Sequence, residues 1–224
     1  MEIKPIGYIK NDYSSKFAVP RQSCIENKLK SKIIIYPEYN REEAFKGLEG
    51  FSHIWLIWEF DKNSHKASSL SVRPPRLGGN EKMGVFATRS PFRPNPLGLS
   101  SVKLESIEKD ENAKTVLIVS GADLIDKTPI YDIKPYIKFS DNHEDAISGF
   151  ADDKKDYRLK VEIPTEFLKE FSDEQKQALY QILECDPRPA YHTDLRQYGF
   201  CFCNKEIKFK VDGSTLTVTE IENE

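Results

Sequence analysis

Apolar and polar positions alternate in short blocks along the first two thirds of the chain. Residues 3–10 (IKPIGYIK) predict an opening strand, and 31–37 (SKIIIYP) is a β-branched run that Pro37 ends. Residues 41–50 (REEAFKGLEG) predict a short helix with Gly50 available as its stop. The near-continuous apolar and aromatic run 51–60 (FSHIWLIWEF) predicts a strand buried on both faces. Further strands are expected at 83–88, 99–110, 114–123 and 128–137, that at 99–110 alternating cleanly. Many short strands with little helix between them predict a mainly β fold, a single antiparallel sheet closed into a barrel. The rhythm of a parallel sheet, strands alternating with long helices, is absent.

The pattern changes after a charged, Asp/Lys-rich connection at 140–163. Residues 165–186 predict a helix, with Ser172 or Asp173 as N-cap and apolar positions at 179, 182 and 183. Asp186-Pro187-Arg188-Pro189 breaks it, and 198–222 reads as two or three strands with a hairpin turn at Asp212-Gly213. The expected division is a barrel domain over 1–145, a linker over 146–163 and a small α+β domain over 164–224. About 60 residues are marginal alone, so this unit is expected to lean on the barrel.

Composition narrows the class. No run approaches the roughly 20 apolar residues of a membrane span, and Met1-Glu2-Ile3-Lys4-Pro5 lacks the apolar core of a signal peptide. The profile is cytoplasmic. Cys24 and Cys185 stand apart, and Cys201 and Cys203 share one face of a strand without further ligands at metal-site spacing, so reduced thiols and no metal are expected. A net charge of −3 argues against a globally basic nucleic-acid binder, but Arg73, Arg76, Arg89 and Arg93 form a local basic cluster.

Four segments set polar groups beside fixed-backbone prolines: 18–22 (AVPRQ), 73–79 (RPPRLGG), 84–100 (GVFATRSPFRPNPLGLS) and 121–136 (GADLIDKTPIYDIKPY). Taken singly each is an ordinary barrel turn; together they can build one rigid mixed-charge pocket. No GxGxxG, Walker A loop, GxSxG elbow or HExxH is present, and the four histidines make no base–nucleophile pair. His53, inside the aromatic run, is expected to be a structural hydrogen-bonder.

The stretches KFAVPRQ, GLEGFSHIWLIWEF, RPPRLGGNEKMGVFATRSPFRPNPLGLS, DLIDKTPIYDIKPYI and DPRPAY together resemble the TsaA-like (YaeB/TrmO) family. Its members include S-adenosylmethionine-dependent tRNA (adenine-37-N6)-methyltransferases. The resemblance spans nearly the whole chain. It implies a single-sheet barrel that binds S-adenosylmethionine outside the Rossmann pattern, a small C-terminal domain, a homodimer, and methylation of N6 of the threonylcarbamoyl-adenosine (t6A) beside the anticodon. By similarity Pro20, Arg21, Gln22, Arg89, Leu99 and the turn Asp123-Leu124-Ile125-Asp126 would line the cofactor site. Family members carry a His-Gln pair where this chain has Asp61-Lys62, a change that backbone contacts survive and imidazole chemistry does not.

Under that resemblance, Asp126 and Asp132 are the candidates for a base acting on the acceptor nitrogen, with a cofactor-hydroxyl ligand or a turn-former as the alternative role of either. Arg93 or Lys134 would meet the threonyl carboxylate, and Asn95 can read a polar edge. Arg188 and Tyr191 either form a domain-docking turn or help hold the anticodon loop. Two other functions fit the same residues: a sensor that binds S-adenosylmethionine, and a methyltransferase for a small molecule or protein.

Overall fold

Six strands close into a barrel in the order β1 (Gly7–Lys10), β2 (Lys30–Ile35), β7 (Thr115–Ser120), β6 (Leu97–Lys109), β3 (His53–Glu59) and β8 (Pro129–Pro135), every pairing antiparallel. The computed structural model describes residues 2–15, 19, 29–63, 69–74, 77, 81–154, 157–188 and 195–223. Period-2 alternation turns Ile9, Ile33, Ile54, Leu56, Leu117 and Ile130 into the barrel, where all are fully buried. Closure leaves no sheet edge to solvent except where one strand outruns its neighbour, and that exception matters below.

Several elements differ from the sequence expectation. The run 51–60 alternates buried and half-buried positions instead of being buried on both sides; on its half-buried face Trp55 Nε1 donates to Asp141 Oδ2 at 2.9 Å. The predicted strand 83–88 is a two-residue strand, β5 (Met83–Gly84), paired with β4 (Ser71–Val72) and followed by a 3₁₀ turn at Val85–Ala87. Thr88 Oγ1 donates to Val85 O at 2.9 Å and closes that turn. The predicted helix 41–50 is one turn, α1 (Glu42–Phe45), then a 3₁₀ turn at Leu48–Gly50. The break falls at Gly47, whose φ of +87° ends the helix three residues before Gly50.

After the barrel come a second helical turn, α2 (Lys138–Asp141), and a 3₁₀ segment at Gly149–Lys154. The connection ends earlier than 163: Lys160–Glu162 is a strand, β9, which pairs in parallel with β12 (Thr215–Asn223). The second sheet runs β10 (Tyr198–Phe202), β11 (Lys205–Asp212), β12, β9, with the β11–β12 hairpin turning at Gly213. Helix α3 (Asp173–Glu184) covers it, its Ser172 N-cap and Gln175 forming a reciprocal capping box. Thr165–Leu168 is a 3₁₀ turn, not the start of this helix.

Each half has its own core, and the connection after β1 contributes to that of the second half. Tyr13, 1% exposed, leaves the barrel wall and packs with Leu179, Leu183, Phe202 and Phe209 under α3. Ser14 and Ser15 hydroxyls donate to Cys201 O, and Cys203 N donates to Asp12 O. The second unit therefore leans on the barrel through residues 11–15. Cys185, Cys201 and Cys203 are free thiols; Cys24 lies outside the described residues. No described helix is long and apolar enough to cross a membrane.

Candidate functional site

Strand direction gathers the polar segments. The C-terminal ends of β1, β3 and β7 and the N-terminal ends of β2, β6 and β8 lie at one end of the barrel. Connections 11–29, 60–96 and 121–128 all emerge there. They carry the four proline-marked segments, except residues 97–100 and 129–136, which enter β6 and β8. Pro20, Arg21, Gln22 and Arg76 lie outside the described residues.

At this end β6 outruns β7. Ser120 closes β7 opposite Lys103, so residues 97–102 pair only with β3. Leu104 N donates to Ser52 O and Phe60 N donates to Pro96 O, which sets the ladder phase: even-numbered residues of β6 bond to β3. The N–H and C=O groups of Leu99 and Ser101 consequently face the vacated side, with no strand to receive them. The Leu99 side chain points outward and is 56% exposed, so its contribution to a ligand is main-chain.

The 121–128 connection lines that gap. Trp58 Nε1 donates to Ser100 Oγ at 2.9 Å, and Ser100 Oγ donates to Asp123 Oδ1 at 2.5 Å. Leu124 is buried, and its carbonyl accepts from Asn11 Nδ2 at 2.9 Å. Ile125 O accepts from Thr128 N, and Asp126 Oδ1 accepts from Asn11 N at 3.0 Å. Lys127, with φ +66°, donates its N–H to Ile9 O. Asp126 thus ties two connections together.

Residues 88–96 form a self-bonded loop. Ser90 N donates to Thr88 Oγ1, Phe92 N to Ser90 Oγ, and Leu97 N to the main-chain oxygen of Asn95. The two arginines divide the work: Arg93 Nη1 donates to Thr88 O at 3.1 Å and staples the loop, whereas Arg89 is exposed and has no ion pair with a described residue. Asn95 is exposed. Asp61 and Lys62 turn the chain after β3 and pair with each other at 3.5 Å, both exposed.

On the outer wall, cross-strand register builds rows. Leu99, Ile57 and Asp132 stand side by side on β6, β3 and β8, as do Ser101, Trp55 and Lys134. At about 4.8 Å per strand, Asp132 lies about 10 Å from Leu99 between Cα atoms. Asp132 and Lys134 form an ion pair at 3.0 Å. A bulge at Tyr131 aims its hydroxyl at Glu59 Oε2, 2.5 Å away. That hydrogen bond, burial and the negative charge push the phenol up to about 12.

Beyond the barrel, Arg188 is locked by a two-pronged bond to Asp186, Nε to Oδ1 and Nη2 to Oδ2, both 2.8 Å, with Tyr157 OH on the same carboxylate. Burial opposes the Asp186 charge, but the bonds and charge of Arg188 hold the carboxyl below its ordinary value. Tyr191 lies outside the described residues. His53 shares a hydrogen bond of 2.9 Å with Ser52 Oγ, and its ring lies 6.1 Å from that of Tyr136 between centroids. Four exposed lysines, Lys10, Lys30, Lys32 and Lys127, make no ion pair with described residues and form one basic face beside the site. Lys10 and Lys32 are direct cross-strand partners, an unfavourable like-charge pairing. Among the described residues no three His, Cys, Asp or Glu converge as metal ligands.

Sequence reasoning passed over Trp58, Ser100, Glu59 and Tyr131. Ser100 did leave a signal: it is the polar break in the inward series Gly98, Ser100, Val102, Leu104. Glu59 and Tyr131 left none, since a bulge decides their meeting.

The fold is a closed antiparallel barrel whose loop-rich end surrounds one open strand edge, a class distinct from doubly wound sheets. The chain belongs to the tRNA-methyltransferase O family: its N-terminal domain model matches residues 8–142 and its C-terminal domain model residues 156–224. Among relatives, the tRNA (adenine(37)-N6)-methyltransferase of Escherichia coli K12 is 38% identical over 230 residues, covering 99% of this chain and 97% of that protein. A Pseudomonas aeruginosa protein, named provisionally as an S-adenosylmethionine-dependent methyltransferase, is 39% identical over 206 residues, covering 88% and 87%. The crystal structure of TrmO from Pseudomonas aeruginosa superposes with a TM-score of 0.77 at 30% identity, over 100% of this chain and 99% of that one.

Proposed function

We propose that this protein transfers a methyl group from S-adenosylmethionine to N6 of t6A at position 37 of tRNA, giving m6t6A. The observation that carries the reading is the open edge of β6, flanked by Asp123 and the Arg89 loop, in a chain of this family. A flat adenine suits such an edge, because the N–H and C=O of Leu99 can meet its acceptor and donor side by side. By the family resemblance Arg89, Asp61, Lys62 and the 123–126 turn would border that place, together with Pro20, Arg21 and Gln22, which lie outside the described residues.

When bound, S-adenosylmethionine supplies a sulfonium methyl already activated for transfer. The chain's own residues then position the acceptor and manage its proton. Asp126, on the turn at the open edge, and Asp132, two strands from Leu99 on the outer wall, are the two candidate bases. With the activated methyl group supplied by the bound cofactor, one of these two carboxylates would take the N6 proton of the acceptor. Lys134 and Arg93 offer cations to the threonyl carboxylate, Asn95 an amide to a polar edge.

The basic face of Lys10, Lys30, Lys32 and Lys127 supports a salt-dependent contact with the tRNA backbone. Arg188 and Tyr191 would meet the anticodon loop, with Arg188 exchanging part of its bond to Asp186 for phosphate. Exposed Phe86, Phe92 and Leu99 on one stretch offer an apolar surface for a second copy of the chain, so the working unit is a homodimer in the cytoplasm. Incubation with labelled cofactor and total tRNA, followed by mass spectrometry of anticodon-loop nucleosides, tests the reading. Label in m6t6A is expected; label in any other nucleoside, or in none, contradicts it.

A further inference from the structure

Trp58, Ser100 and Asp123 come from β3, β6 and the 121–128 connection, and they meet inside the open end of the barrel. Trp58 is 6% and Ser100 1% exposed. An indole N–H can only donate, so the 2.9 Å bond makes Ser100 Oγ its acceptor. The serine's own proton is then directed to Asp123 Oδ1, 2.5 Å away. The relay has one polarity, from the core outward, and ends on the carboxylate that borders the vacated side of β6. Packing alone does not call for it: a buried polar chain can be replaced by apolar groups of the same shape at little net cost. No main-chain ladder joins residues 97–102 to 121–124 here, so this side-chain bond spans the gap instead.

From this geometry we infer that Ser100 is a positioning residue for cofactor recognition. It fixes Asp123 at a set distance from the Leu99 and Ser101 main-chain groups, so that the carboxylate, which can accept several hydrogen bonds at once, is presented to a donor of the adenosyl ligand. The inference rests on the functional reading above. The donor is a ribose hydroxyl or the methionyl ammonium, both chemically suited to a carboxylate. Trp58 acts one step further back, by keeping the serine proton pointed at Asp123.

Calorimetry with S-adenosylmethionine on the full chain tests this, using wild type, Ser100→Ala, Ser100→Thr and Trp58→Phe, alongside steady-state kinetics on t6A-bearing tRNA. Ser100→Ala should weaken cofactor binding by about tenfold, raising KM for cofactor while kcat at saturation and KM for tRNA move little. Ser100→Thr, which keeps the hydroxyl, should restore most of the affinity. Trp58→Phe should show a smaller loss. 5′-Methylthioadenosine, which has the ribose but no ammonium, separates the donors: the alanine penalty persists for a ribose contact and vanishes for an ammonium contact. Unchanged affinity in a folded Ser100→Ala, or no rescue by threonine, overturns the inference while leaving the methyltransferase reading intact. Failure of wild type to bind S-adenosylmethionine overturns both.

Discussion

Gly98 lies against the Trp58 indole so closely that a Cβ there would stand 2.2 Å from Cε2 of the ring. Trp58 cannot yield freely, because Phe60 packs on it with centroids 4.3 Å apart and Ser100 holds its N–H. Gly98→Ala should therefore destabilise the protein by about 1–3 kcal/mol, the usual range for overpacking, read as a lower urea midpoint; an unchanged midpoint would mean the ring moves aside. The two arginines of the 88–96 loop separate at the same scale. Arg89→Ala should weaken S-adenosylmethionine binding by about 1.5–3 kcal/mol, as expected for a lost charge-assisted contact, with the thermal midpoint preserved. Arg93→Ala should instead loosen residues 88–96, seen as faster amide exchange there, because its guanidinium holds Thr88 O. Both arginines were legible in the sequence as candidates, but their division of labour was not: a hydrogen bond across five residues depends on the loop's path. The Trp58–Ser100–Asp123 chain was less legible still, since its members are 42 and 23 residues apart and meet only through barrel closure.

Among the elements, strands with period-2 alternation were readable and those dominated by special backbone were not. β6, with its alternating inward Val102 and Leu104, appears within two residues of its expected start. Residues 83–88 carry the apolar content of a strand, yet Thr88 turns its hydroxyl back on Val85 O and the prolines that follow remove ladder donors. The α3 terminus behaves as its sequence indicates, Ser172 and Gln175 capping each other. The turn after α3 stores a pH response. The Asp186 carboxyl is held below its ordinary 3.8, so its contribution is complete above that value and is lost as pH falls through the depressed one. Arg188→Ala should lower the melting temperature at neutral pH, and the gap from wild type should narrow as pH falls through the depressed carboxyl value and Asp186 becomes protonated. A gap that persists undiminished in acid would show that Arg188 stabilises by packing alone.

At the scale of the whole molecule, the alternation of strand direction turned scattered polar segments into one end of a barrel, and that much followed from the sequence pattern. The link between the two units did not, because Tyr13 in an unremarkable polar stretch reads as loop. Its ring is buried against Phe202, with centroids 6.1 Å apart, and its connection leads on to residues 20–22. Tyr13→Ala should cost about 3–5 kcal/mol, as for large aromatic truncations, and should lower methylation at temperatures where the fold persists; full stability would show that the units do not depend on this anchor. The central claim concerns substrate choice. Under the proposed reading Lys134 and Arg93 would favour a substrate that carries the threonyl carboxylate, a charge-assisted contact that plain adenosine cannot make. The direct measurement is methyl transfer to one tRNA transcript prepared with and without enzymatically installed t6A. Methylation of the t6A form alone, declining with added salt, is the predicted result, and equal methylation of both forms, or of neither, would contradict it.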